Sequence, residues 1–136
     1  MALTLELKPG ERLMVGDCII TNSGQRTRLL IEGETPVLRE KDVMTYSRAD
    51  SPAKRIYLAL QLMYLAKNPD VHRDVYFALV RDLTAAAPST LPFIESINTE
   101  IAAGDIYRAL KGAAKLIAHE SQLMGKSAGA DEQRTG

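Results

Sequence analysis

The hydrophobic pattern of this chain changes period once, near residue 50, and that change limits what the chain can fold into. Before it, apolar residues recur at every second position. Leu3, Leu5 and Leu7 alternate with Thr4, Glu6 and Lys8, the spacing that puts one face of a strand in a core and the other in water. After it, apolar residues recur every three to four positions, the spacing of a helix face. A chain that changes period once, with strands first and helices second, is α+β rather than a repeating βα architecture.

Turn residues punctuate the first part. Pro9-Gly10 ends the first alternating run, since proline lacks an N–H and glycine favours turns. Gly16-Asp17 separates Leu13-Met14-Val15 from Cys18-Ile19-Ile20, and a two-residue loop with glycine first suits a type II′ hairpin turn. Asn22-Ser23-Gly24 is a second turn. Arg26 to Ile31 reads as a strand with Thr27, Leu29 and Ile31 on one face and Arg26, Arg28 and Leu30 on the other. Gly33-Glu34-Thr35-Pro36 turns again, and Val37 to Val43 reads as a last strand. Residues 1–47 thus form a small antiparallel β segment of about five strands.

Residues 48–124 read as a bundle of about four helices, near 51–66, 69–86, 90–103 and 105–124. Ser51-Pro52 starts the first, because serine caps free N–H groups and proline fits the first helical position. Asn68-Pro69 repeats that device, and Thr90 with Pro92 suggests a third start. Gly104-Asp105 reads either as a break or as a bend in one longer helix. The first helix carries two apolar stripes, Ile56, Leu60 and Met63, and Leu58, Leu62 and Leu65. A helix apolar on most sides is buried on more than one side, so it should be central or covered by a second subunit. Residues 125–136 are polar and small, which points to a disordered tail. The length suits one compact unit with that tail.

Charge narrows the function. The 136 residues hold 17 Lys+Arg and 17 Asp+Glu, so a polybasic nucleic-acid binder is excluded. Neither half is charge-segregated: residues 1–50 hold seven basic and eight acidic side chains, the rest ten and nine. An anion must then be gripped by a few placed residues. No apolar run approaches the ~18 residues that span a membrane, and Met1 to Glu6 lacks the basic flank and apolar core of a signal peptide. A single Cys18 makes no internal disulfide and no Cys-rich zinc site. A cytoplasmic location is expected.

Catalytic constellations are not visible. His72 and His119 fall on different helices without a metal-spaced companion. Cys18, beside Ile19 and Ile20, reads as a small buried hydrophobe. The glycines are too scattered for a phosphate loop. We expect no enzyme, no metal and no cofactor. The basic residues of the β segment remain. Arg26 and Arg28 share a strand face, and Arg39 and Lys41 share another if that segment is extended. Guanidinium forks suit phosphates and base edges. Lys/Arg on exposed strand faces also protect edges. DNA binding through residues 90–124 is disfavoured, since Arg108, Lys111 and Lys115 read as ordinary helix-surface charge.

Several segments resemble the flagellum biosynthesis repressor family FlbT. They are Leu-Glu-Leu-Lys-Pro-Gly-Glu-Arg at 5–12, Leu29-Leu30-Ile31-Glu32-Gly33, Leu38-Arg39-Glu40-Lys41-Asp42, and Lys54 through Tyr64. The resemblance covers the chain short of the tail. It implies a small cytoplasmic regulator that binds the 5′ untranslated region of flagellin messenger RNA, reduces translation and favours decay. In some members the effect on flagellin is positive. The resemblance also implies FlaF as a partner. A more local resemblance links Gly10-Glu11-Arg12-Leu13-Met14-Val15-Gly16-Asp17 and Arg39-Glu40 to the carbon storage regulator family CsrA. That implies a five-stranded intertwined β homodimer with basic residues at the end of the first strand and an Arg in the last. Lys8 and Arg39 match two such positions. Leu7 stands where that family has another Arg.

The expected RNA-binding residues are therefore Lys8, Arg12, Arg26, Arg28, Arg39 and Lys41. The alternative is an adaptor or chaperone of flagellar assembly whose helices hold FlaF or flagellin, with Tyr57 and Tyr64 as anchors. A homodimer is expected in either case, because the short β segment and the broad apolar helix both need covering.

Overall fold

A computed structural model of the chain describes residues 2–66 and 68–135, with side chains described as far as residue 125. The architecture is α+β, with five antiparallel strands followed by four helices. The chain divides into two compact units, Met1–Val43 and Met44–Gly136.

In the first unit, β1 (Ala2–Leu7) pairs with β4 (Thr27–Glu32), and β2 (Arg12–Val15) pairs with both β3 (Cys18–Thr21) and β5 (Val37–Arg39). Every pairing is antiparallel. The alternation in β1 works as the sequence suggests. Leu5 and Leu7 join Leu13 and Val37 in a buried cluster, with Leu3, Val15, Leu29 and Ile31 packed against it. Thr4 and Glu6 point outward. Gly16 takes φ +60° while Asp17 stays at negative φ, as a type II′ turn requires. A Cβ at Gly16 would also lie 2.9 Å from Thr35 Cγ2.

Two expectations fail here. The last strand stops at Arg39, and Glu40–Asp42 coils into a 3-10 turn closed by Val43 N–H donating to Glu40 O. Lys41 therefore does not share a strand face with Arg39. Cys18 is exposed rather than buried. It opens β3, which pairs only with β2 among the described residues, and all four residues of β3 are exposed.

The second unit contains α1 (Pro52–Leu65), α2 (Asp70–Ala86), α3 (Leu91–Ala102) and α4 (Ile106–Thr135). α1 packs against both α2 and α4. Ile56, Leu60 and Met63 are at most 1 % exposed, so the helix that reads as apolar on most sides is a core helix. Gly104, at φ +79°, settles the ambiguous break. A left-handed residue cannot continue a helix, and Asp105 Oδ1 accepts Arg108 N–H to cap α4. Thr90 does not cap α3. A 3-10 turn, Pro88–Thr90, runs directly into that helix, and the Thr90 hydroxyl donates to Ala87 O instead. Gly112 lets α3 and α4 approach closely, since a Cβ there would meet Ile97 Cγ1 at 3.0 Å. The backbone assignment carries α4 into the stretch 125–136 that composition reads as a tail. Side chains from residue 126 onward lie outside the described residues.

A buried polar arrangement joins α4 to the start of α1. The Ser51 hydroxyl accepts Lys54 N–H and donates to Glu120 Oε1, while Glu120 Oε2 accepts Ala53 N–H at 2.9 Å. A carboxylate on the first N–H groups of a helix satisfies orphan donors and complements the helix dipole.

Candidate nucleic-acid interface

Strand order decides where the cations go. β1 ends at Leu7, opposite Thr27 at the start of β4. β2 begins at Arg12, opposite Thr21 at the end of β3. β5 ends at Arg39, opposite Leu13. The strands therefore place Lys8, Arg12, Arg26, Arg39 and Lys41 at or just beyond one end of their sheets, with Arg28 one residue inside β4. The opposite ends carry Asp17, Glu32 and Glu34 and no basic residue. Residues 1–43 thus hold all six of their cations toward one end, against Glu6, Glu11, Glu40 and Asp42 there. A net charge near zero conceals this separation.

The cationic end is built on two linked turns. The Asn22 side-chain amide donates to Leu7 O at 3.0 Å, Lys8 O at 3.3 Å and Gln25 O at 2.9 Å. Its side-chain oxygen accepts Gly24 N–H at 3.1 Å. Gly10 N–H donates to Asn22 O, and Asn22 N–H donates to Glu11 O. One asparagine thereby ties the β1–β2 turn to the β3–β4 turn, and with them the backbone that carries Lys8 and Arg26.

Carboxylates lie among these cations. Glu11 Oε1 accepts Lys8 N–H at 2.7 Å. That bond, and then the charges of Lys41, Arg39 and Lys8, hold the Glu11 carboxyl below the usual carboxylate range. Glu11 thus lies within electrostatic reach of Lys8, Arg39 and Lys41. Arg12 Nε lies 3.2 Å from Glu40 Oε2, and Arg26 Nε lies 3.3 Å from Glu6 Oε1. Arg28 stands directly opposite Glu6 in the register. A cavity of about 200 Å³, lined by Arg12, Leu13, Met14, Ile19, Glu40 and Val43, opens beside the Arg12–Glu40 pair.

Of the six basic residues singled out by sequence, Lys8, Arg39 and Lys41 act on Glu11, and Arg26 and Arg28 face Glu6. Arg12 pairs with Glu40, which stands between Arg39 and Lys41 in the chain. Sequence reasoning missed the carboxylates. The Lys8-Pro9-Gly10-Glu11 turn carried a signal for Glu11, three residues from Lys8 across a Pro-Gly turn. Nothing local marks Glu40 as a partner for Arg12.

The two tyrosines expected as partner anchors both lie on α1. Tyr57 is buried, and Tyr64 is half-buried with its ring centroid 6.1 Å from that of Tyr107. Val71, Val75 and Phe77 of α2 are exposed apolar residues. His119 stacks on Phe93 at 4.7 Å, and its Nε2 lies 3.0 Å from Ser89 Oγ. Among the described residues, no group of three His, Cys, Asp or Glu side chains could hold a metal ion. No helix among them is long and apolar enough to cross a membrane.

Fold and surface together define a small α+β protein with a cationic end on its β unit. The chain belongs to the FlbT family: the family model described as "Flagellar protein FlbT" matches residues 3–124. It is 55 % identical over 127 residues to the "Probable flagellum biosynthesis repressor protein FlbT 1" of Bradyrhizobium diazoefficiens, covering 93 % of this chain and 87 % of that one. It is 42 % identical to the "Probable flagellum biosynthesis repressor protein FlbT" of Rhodopseudomonas palustris, covering 93 % of this chain and all of the relative. Identity to the "Flagellum biosynthesis repressor protein FlbT" of Caulobacter vibrioides is 30 %, over 92 % and 91 % of the two chains. No solved structure matches the chain.

Proposed function

We infer that this protein is a non-enzymatic, cytoplasmic repressor of flagellum biosynthesis that binds the 5′ untranslated region of flagellin messenger RNA through the cationic end of its β unit. The observation that carries this reading is the gathering of all six cations of residues 1–43 toward one end of the strands, with Asp17, Glu32 and Glu34 at the other. Lys and Arg neutralise phosphates and set register. An Arg at a strand end can also stack on an unpaired base and bond its edge, and the cavity beside Arg12 offers an apolar wall for such a base. Occupying the leader excludes ribosomes and leaves the message to nucleases. The names of the relatives support the repressor part of the reading.

The protein acts as a homodimer in this reading. β3 and β4 each pair on one side only among the described residues, and Ile19, Ile20 and Leu30 are exposed on them. Unprotected apolar edges invite a second chain.

A gel shift with a flagellin leader tests the site. K8A/R39A should weaken leader binding at least tenfold with an unchanged circular dichroism spectrum, since two phosphate or base contacts are lost. Unaltered affinity would remove the site. A second reading, an adaptor holding FlaF or flagellin, is favoured by Val71, Val75 and Phe77, exposed on α2. Protein that shifts no RNA alone but co-elutes with FlaF or flagellin would select it.

A further inference from the structure

We propose that Glu6, Glu11 and Glu40 mask the cationic end against indiscriminate RNA, so that a strand is held only where its phosphates displace these carboxylates. The proposal rests on the RNA-binding reading above and adds a device to it.

The geometry is the argument. Three carboxylates lie among the cations of this end: Glu6 on Arg26 at 3.3 Å, Glu40 on Arg12 at 3.2 Å, and Glu11 on the Lys8 backbone N–H at the β1–β2 turn. Glu6 also faces Arg28 in the register. Glu11 is fixed by the Lys8 N–H, and its carboxyl is lowered by that bond and by Lys41, Arg39 and Lys8. The side chains of Glu6 and Glu40 are 50 % and 61 % exposed. Exposed pairs of this kind are weak and exchange partners readily. They are therefore displaceable, which a buried pair would not be.

Displacement has a consequence for selectivity. Non-specific RNA binding is almost wholly electrostatic. An RNA held by phosphate contacts alone loses most of its gain when each phosphate must first evict a carboxylate. An RNA that also makes base contacts retains those contacts. The mask thus keeps bulk RNA off the protein without a repulsive net charge.

The test compares two full-length variants with the same change in net charge. E6Q/E11Q/E40Q unmasks the cationic end, and D17N/E32Q/E34Q removes the same charge from the opposite end. Glutamine at 11 keeps an oxygen that can accept the Lys8 N–H. Binding to a flagellin leader and to a scrambled single-stranded RNA is measured across salt. Unmasking should tighten scrambled RNA roughly tenfold, from two weak ion pairs and the charge of Glu11. It should also steepen the salt slope by about 2, from three more phosphates neutralised. The opposite-end variant should change scrambled-RNA affinity less than twofold.

Leader binding by the wild type, with scrambled-RNA affinity unchanged in the unmasked variant, overturns the mask and leaves the RNA-binding reading standing. An equal gain in the opposite-end variant also overturns it, since net charge alone would then suffice. Absence of any RNA shift in all three proteins at low salt removes both. If the triple variant melts early, E6Q and E40Q singly carry the test, because both sit on exposed ion pairs.

Discussion

The carboxamide of Asn22 donates to the carbonyls of Leu7, Lys8 and Gln25 from a single half-buried side chain. Carbonyls left without a donor in a part-buried turn are costly, so N22A should lower unfolding stability by about 1–3 kcal/mol. Urea unfolding followed by circular dichroism would measure it, and a serine at 22 should recover little because it cannot span three acceptors. Tyr76 gives a pH-dependent counterpart. It is fully buried, its hydroxyl donates to Asn98 Oδ1 at 2.6 Å, and burial pushes the phenol well above its ordinary value near 10. The folded state keeps this proton while the unfolded state releases it above pH 10. Stability from this group is complete below pH 10 and falls as pH rises further, by about 1.4 kcal/mol per pH unit. Y76F should flatten that alkaline loss in unfolding curves recorded from pH 9 to 11.

Among the elements, α1 depends most on a distant residue. Its N-terminus is closed by Ser51 and by Glu120 of α4, 69 residues away. E120A leaves the Ala53 N–H and the Ser51 hydroxyl without their partner and should destabilise by about 2–3 kcal/mol. A double-mutant cycle with S51A, read by thermal melts, should show coupling rather than additivity. β3 makes the opposite prediction. Its residues are all exposed, so I20K should leave the unfolding stability of dilute, monomeric protein within about 0.5 kcal/mol. The same change should lower dimer content in light scattering, because a lysine blunts an edge. The elements themselves were largely legible, because Pro9-Gly10, Gly16-Asp17, Ser51-Pro52 and Gly104 act locally. The end of β5 was not: Val37 to Val43 reads as extended, yet the Glu40–Val43 hydrogen bond and the 3-10 turn decide otherwise. Glu120 was invisible for the same reason at longer range. Its role exists only once α4 packs on α1.

For the whole molecule, the formal charge of zero is the least informative number the sequence offers. Counting residues by half shows balance, because counting follows the chain and the strands do not. Five antiparallel strands bring positions 8, 12, 26, 28, 39 and 41 toward one end and 17, 32 and 34 to the other. The six candidate cations were therefore legible as residues, and their convergence was legible only through the register. Their carboxylate partners were not legible, since Arg12–Glu40 and Arg26–Glu6 pair across strands. With six cations at this end of each chain, the salt slope for a single-stranded leader bound there should not exceed about 4 per protomer, which a filter-binding series from low to physiological salt would check.

The single cysteine acquires a use from this layout. Cys18 is exposed and begins β3 beside the Gly16-Asp17 turn, so its thiol marks the acidic end. The strand's three-residue rise, ~10 Å, separates it from Thr21 at the cationic end. A maleimide dye would attach to the natural sequence without mutagenesis, and its anisotropy would report an arriving RNA from outside the surface that holds it.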